Sequence, residues 1–166
     1  MLPRVVLVFA LVSSLVGCTK EQGEAVGPGG GKMCTQIGCV DGLRLTLEKA
    51  GAWAPGAYTF AFTLDGAAVT CSGSLPLKAC DAGPSLTCDA EGRVMIGESG
   101  CALPPDQHGW SDIQVAGAPK AVKLTISRDG QPLQAAELAP TYAESRPNGP
   151  DCEPLCRGAA ATIAVP

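Results

Sequence analysis

The sequence predicts an all-β fold: a small antiparallel Ig-like β-sandwich stapled by disulfides. Three observations carry that expectation. Apolar residues repeat with period two in short stretches, as along Leu43, Leu45 and Leu47 and again along Tyr58, Phe60, Phe62 and Leu64. Turn formers punctuate the chain, with 21 Gly and 14 Pro in 166 residues, which leaves little room for long helices. Nine cysteines accompany only a handful of aromatic rings, so a thin core calls for covalent reinforcement.

The first element is not part of that fold. Arg4 is the single charge before an apolar run from Val5 to Val16, interrupted only by Ser13 and Ser14. A membrane-spanning helix needs about 20 apolar residues, so the run fits the apolar core of a signal peptide and not a span. It closes on Leu15-Val16-Gly17-Cys18. This stretch resembles the lipobox of bacterial lipoprotein signal peptides; the competing reading is an ordinary secretory signal with a coincidental cysteine. The resemblance implies that residues 1–17 are removed and that Cys18 becomes an acylated N-terminus, with membrane lipid as its partner. One acyl chain binds only marginally, whereas two or more anchor stably. In the lipoprotein pattern an acidic residue after the cysteine retains the protein at an inner membrane, so Thr19 implies the outer membrane where a cell has two.

Taking residues 1–17 from 166 leaves 149, enough for one domain and a tail. Arg4 leaves with the signal, so 11 basic residues face 16 acidic ones, a net charge of −5. That mild acidity argues against nucleic acid, or anionic lipid, as an electrostatic partner. Residues 18–33 carry the acylated cysteine and a Gly-rich tether, Thr19 to Met33, with no apolar period. A flexible coil of that length spans ~20 Å on average. The folded domain is expected over residues 34–166.

Setting Cys18 aside makes the remaining count even: Cys34, Cys39, Cys71, Cys80, Cys88, Cys101, Cys152 and Cys156. An even number in an exported chain points to disulfides, each worth ~2–4 kcal/mol through the unfolded state. Zinc is the competing use, but the intervals within Cys34/Cys39 and Cys152/Cys156, together with export, favour oxidation. Eight cysteines allow 105 pairings; of these, the pattern taken here cross-links the first pair with the last pair and leaves the middle four to bridge among themselves, with the pairing inside each group open.

The strands follow in order. Leu43, Leu45 and Leu47 alternate with Arg44, Thr46 and Glu48. Residues 57–72 read as a β-hairpin turning at Asp65-Gly66, and its rings are expected at the centre of the core. Residues 84–88 and 93–97 are short strand candidates around Asp89 to Gly92, and Cys101 to Gly109 is an irregular loop. Ile113 and Val115 open a further strand. Val122, Leu124 and Ile126 lead to a second hairpin at Asp129-Gly130, and Ile163 and Val165 supply a terminal strand.

The segment from Pro140 to Cys156 is long, proline-rich and closed by cysteines. Its Arg146-Pro147-Asn148-Gly149-Pro150 run, followed by Cys152, Pro154 and Cys156, resembles a stretch of cysteine-rich bacterial envelope lipoproteins, a group that brings no activity with it. The segment reads first as a stiffened structural connection and second as a binding loop, whose candidates are Glu144, Arg146, Asn148 and Asp151.

Catalytic chemistry is thin. Asp106, His108 and Asp112 fall far short of the spacing of a zinc or calcium site. A Ser–His–Asp hydrolase would have to use His108, with no G-x-S-x-G to supply the serine. Cys152 to Cys156 encloses three residues and is not a redox C-x-x-C. No catalytic residue, metal or cofactor is therefore expected. The sequence reads as a membrane-anchored envelope lipoprotein, a binding or structural module that is not an enzyme and that has an envelope protein as a second partner. A protease-inhibitor-like module presenting residues 144–151 and an envelope hydrolase built around His108 are the alternatives.

Overall fold

A computed structural model describes residues 33–166; the signal segment, Cys18 and the tether as far as Lys32 lie outside the described residues. Ten strands form two five-stranded sheets. The first sheet contains β1 (Gly42–Lys49), β5 (Val94–Ser99), β6 (Gly109–Val115), β9 (Ala143–Ser145) and β10 (Cys156–Val165) in the order β5-β6-β1-β10-β9. The second contains β2 (Gly56–Leu64), β3 (Ala67–Leu75), β4 (Leu86–Cys88), β7 (Val122–Arg128) and β8 (Gln131–Leu138) in the order β4-β3-β2-β7-β8. One 3-10 turn, Pro105–Gln107, breaks the loop before β6.

Alternation explains the core. Tyr58, Phe60, Phe62 and Leu64 all point inward from β2, each no more than 2% exposed. They meet Leu43, Leu45 and Leu47 of β1, and Val122, Leu124 and Ile126 extend the same inner face on β7. The β2–β3 turn at Asp65-Gly66 has positive φ at both residues, the backbone that a two-residue hairpin requires. Asp129-Gly130 repeats that geometry between β7 and β8.

Four features depart from the sequence reading. β1 and β10 run parallel, the one such pair among the described residues, because the rest of the domain connects them and no hairpin constrains their direction. β4 and β5 flank one short turn yet enter different sheets, β4 beside β3 and β5 beside β6. The terminal strand begins at Cys156, earlier than the Ile163-Val165 alternation indicates, since Gly158 to Ala161 carry no apolar period. The proline-rich segment contains the short strand β9.

Trp110 is the least predictable core residue. It is 2% exposed, although three positions separate it from the equally inward Ile113. A bulge resolves the parity: Ile96 pairs with Ile113, but Glu98 pairs with Trp110, so β6 carries one extra residue there. Gly97 lies opposite the bulge, where a Cβ would come within 2.4 Å of Ser111 Oγ. The indole packs edge-on to Tyr58 and Phe60, with ring centroids 6.0 and 5.9 Å away.

Candidate functional site: the cystine-framed corner

The four disulfides divide by location. Cys34–Cys152 and Cys39–Cys156 join residues 118 and 117 apart, lashing the start of the domain to the proline-rich segment. Cys71–Cys88 crosses β3 to β4, and Cys80–Cys101 ties the loop after β3 to the loop before β6. The Cys39–Cys156 bridge sits just ahead of the parallel ladder. Its separation of 117 differs by one from the offset of 116 between Gly42 and its partner Gly158, so it pins the register of β1 on β10.

Between the two end bridges, Asn148 fastens the corner. Its Oδ1 accepts hydrogen bonds from Thr35 Oγ1 at 2.6 Å and from the Ile37 amide at 2.8 Å. Its Nδ2 donates to the Ile37 carbonyl at 3.0 Å and to the Glu153 carbonyl at 2.7 Å. An amide side chain thus does for Ile37 what a neighbouring strand would do. Two successive turns shape the loop, Gly149 N to Arg146 O and Cys152 N to Gly149 O, and the first turns Asn148 inward to 9% exposure.

The other loop candidates lie outside. Arg146 donates to Glu153 Oε1 at 3.0 Å and to the Cys152 carbonyl at 3.3 Å. Glu144 pairs with Arg157 at 3.7 Å, and Asp151 is exposed. Asn148 alone of the four faces the interior. The sequence shows an Asn-Gly turn signal there, but its bonding partners stand up to 113 residues away and leave no local trace.

Replacing Asn148 by Ala should cost about 2–3 kcal/mol, because the amide and carbonyl of Ile37 and the carbonyl of Glu153 lose their partner in a partly buried place. Asn148→Asp should be nearly as damaging, since a carboxylate would face two carbonyl oxygens with no N–H to offer. Denaturant melts of both variants, with amide exchange at Ile37, check this; a loss under about 0.5 kcal/mol for Asn148→Ala would contradict it.

The Arg146 guanidinium beside Glu153 holds its carboxyl below the ordinary 4.5, helped by the Leu155 amide. A depressed carboxylate contributes stability above its ordinary value and loses it as pH falls through the lower, folded-state value. The loop brace should therefore weaken only in acid, below pH 4.5. A titration of the Glu153 carboxyl by NMR, compared with Arg146→Gln, checks it: the variant should return the carboxyl toward 4.5. Tyr142, whose hydroxyl donates to the Pro119 carbonyl, is pushed the other way, upward, mainly by burial and then by Asp65.

His108 is 6% exposed and committed to the backbone. Its Nδ1 accepts the Leu77 amide at 2.9 Å and its Nε2 lies 2.9 Å from the Leu103 carbonyl. An amide can only donate and a carbonyl only accept, so these partners assign the Nε2–H tautomer. Asp112 instead pairs with Arg44 at 3.2 Å, and Asp106 is exposed. The three residues do not gather around one point. Among the described residues the one cluster of three metal-capable side chains is Cys39, Asp41 and Cys156, and two of its three donor atoms are the sulfurs of one disulfide.

Protein-family models, curated proteins and solved structures yield no match to this chain. The candidate site is the corner built by Cys34–Cys152, Cys39–Cys156 and Asn148, next to the first described residues.

Proposed function

We propose that this chain is a lipid-anchored module of the cell envelope, exported, acylated at Cys18 and carried at the outer membrane where there are two, that works by binding or bracing a partner and not by catalysis. The observation that carries the reading is the set of four disulfides, which marks an oxidising, exported compartment. Two of them reinforce the end of the domain that a tether from Cys18 would pull on. The lipobox-like Leu15 to Cys18 and the residue Thr19 supply the anchor and its address.

His108 supports the non-catalytic reading, because a ring with both nitrogens engaged by main-chain groups has no lone pair or proton free for a substrate. An inhibitor-like loop receives less support. Such a loop presents an extended, outward backbone, whereas residues 146–152 fold through two turns around an inward Asn148. An envelope protein remains the expected second partner.

Detergent partitioning and intact mass test the anchor. The mature protein should partition with detergent and begin at Cys18 with the added mass of its acyl chains. Cys18→Ser should leave the precursor unprocessed; a Cys18→Ser protein that still matures to a membrane-bound form of unchanged mass would sink the proposal.

A further inference from the structure

We propose that the cystine-framed corner is a lipid-docking face, through which Ile37, Val40 and Leu155 seat the domain on the bilayer surface that its anchor occupies. The inference rests on the lipid-anchor reading above and adds an orientation that a flexible tether alone would not impose.

The domain from Cys34 onward exposes five large apolar side chains, and three of them are these. Ile37 is 53% exposed, Val40 76% and Leu155 38%. They sit on the two segments that the end bridges clamp together. The Cα atoms of Cys39 and Cys156 are 5.3 Å apart, and Val40 and Leu155 are each one residue from that bridge. With consecutive Cα atoms ~3.8 Å apart, Val40 and Leu155 lie within about 13 Å of each other. Ile37 is held against the same loop by Asn148, which occupies both its amide and its carbonyl. Its backbone is therefore fixed as in a strand while its side chain stays in water. A segment pinned by two disulfides and a four-bond amide, yet turning apolar side chains outward, is a built surface and not a frayed end.

Two further facts select a lipid surface as the occupant. The chain outside the domain ends here: the tether joins at Cys34, three residues before Ile37, and its other end is the acylated Cys18. A coil of that length holds the domain ~20 Å from its anchor on average, so even a weak apolar contact is populated at a millimolar-order effective concentration. The charges around the face also cancel in pairs, Arg146 with Glu153 and Arg157 with Glu144, while Asp41 accepts the Arg157 amide. Such a rim suits a zwitterionic headgroup layer, which offers no strong field, better than a highly charged partner.

The test uses the full lipidated protein in vesicles of phosphatidylcholine brominated on its acyl chains, which quench a nearby indole. Val40→Trp places a reporter on the face, and Glu48→Trp places one toward the far end of β1, where the backbone lies about 20 Å or more away. Trp53 and Trp110 are buried, and their background, measured on the unsubstituted protein, is subtracted from each variant. Quenching of Val40→Trp should exceed that of Glu48→Trp at least threefold, and adding Ile37→Asp and Leu155→Asp should abolish the difference. Equal quenching at the two positions, with the protein in the vesicles, would overturn the docking face and leave the anchor standing. A protein that fails to enter the vesicles would overturn the anchor, and the docking face with it. Protection of Val40→Trp that grows with protein concentration and ignores bromine would assign the face to a second copy instead.

Discussion

Reduction of the four disulfides should unfold the domain at neutral pH without denaturant. The end bridges dominate that outcome. A bridge closing 118 residues removes about 5 kcal/mol of unfolded-chain freedom at room temperature in the chain-entropy treatment. The second end bridge adds less, about 2–3 kcal/mol, because the first already brings the short arms 34–39 and 152–156 together. The inner bridges, with separations of 17 and 21, contribute about 3 kcal/mol each. A domain of this size holds a net stability on the order of 5–15 kcal/mol, so losing all four removes most or all of it. Far-UV circular dichroism and urea melts with and without reductant decide the matter. A reduced protein that keeps its sheet spectrum and its melting midpoint would show that the apolar core suffices alone. Opening Cys39–Cys156 by itself should be milder than opening both end bridges, as the nesting requires.

The parts of this fold that were legible in the sequence are those with a local cause. Leu43 to Leu47 and Tyr58 to Leu64 alternate because a strand puts successive side chains on opposite faces, and a two-residue turn with positive φ at Asp65-Gly66 needs no distant partner. The pairing of the first two domain cysteines with the last two was one of 105 connectivities that eight cysteines allow, and the structure selects it. What escaped depends on distance. The parallel pairing of β1 with β10 joins residues 116 apart, and nothing in Gly158 to Ala161 distinguishes a strand from a linker. The burial of Trp110 needs a bulge that only the register against β5 reveals. Asn148 reads as a turn former, while its role as a brace depends on Thr35 and Ile37 arriving from the other end of the chain. Local period gives the strands; the corner that organises the candidate site is made by contacts that sequence proximity does not encode.

Phe60→Ala should be the most damaging single core substitution on β2, costing about 3–5 kcal/mol, whereas Thr59→Ala beside it should cost under about 1 kcal/mol. The two side chains differ only in the face they take. Phe60 is 0% exposed, lies between Cys71 on β3 and Ile126 on β7, and meets the Trp110 indole edge-on at 5.9 Å with an interplanar angle of 87°. Removing its ring opens a cavity that Cys71 cannot fill, because the bridge to Cys88 fixes that sulfur. Trp110 cannot follow either, since the bulge opposite Gly97 sets its backbone. Thr59 stands across from Ser72 and Ser127, half-buried on a face of the sheet that no other layer among the described residues covers, and its carbonyl, not its side chain, takes the Ser127 hydroxyl. Truncating it removes a methyl and a hydroxyl that water already reaches. Urea melts of both variants under oxidising conditions separate the cases. Near-equal losses at the two positions would mean that the outer face of this sheet is also covered, and would redirect the search for a partner from the cystine-framed corner to that face.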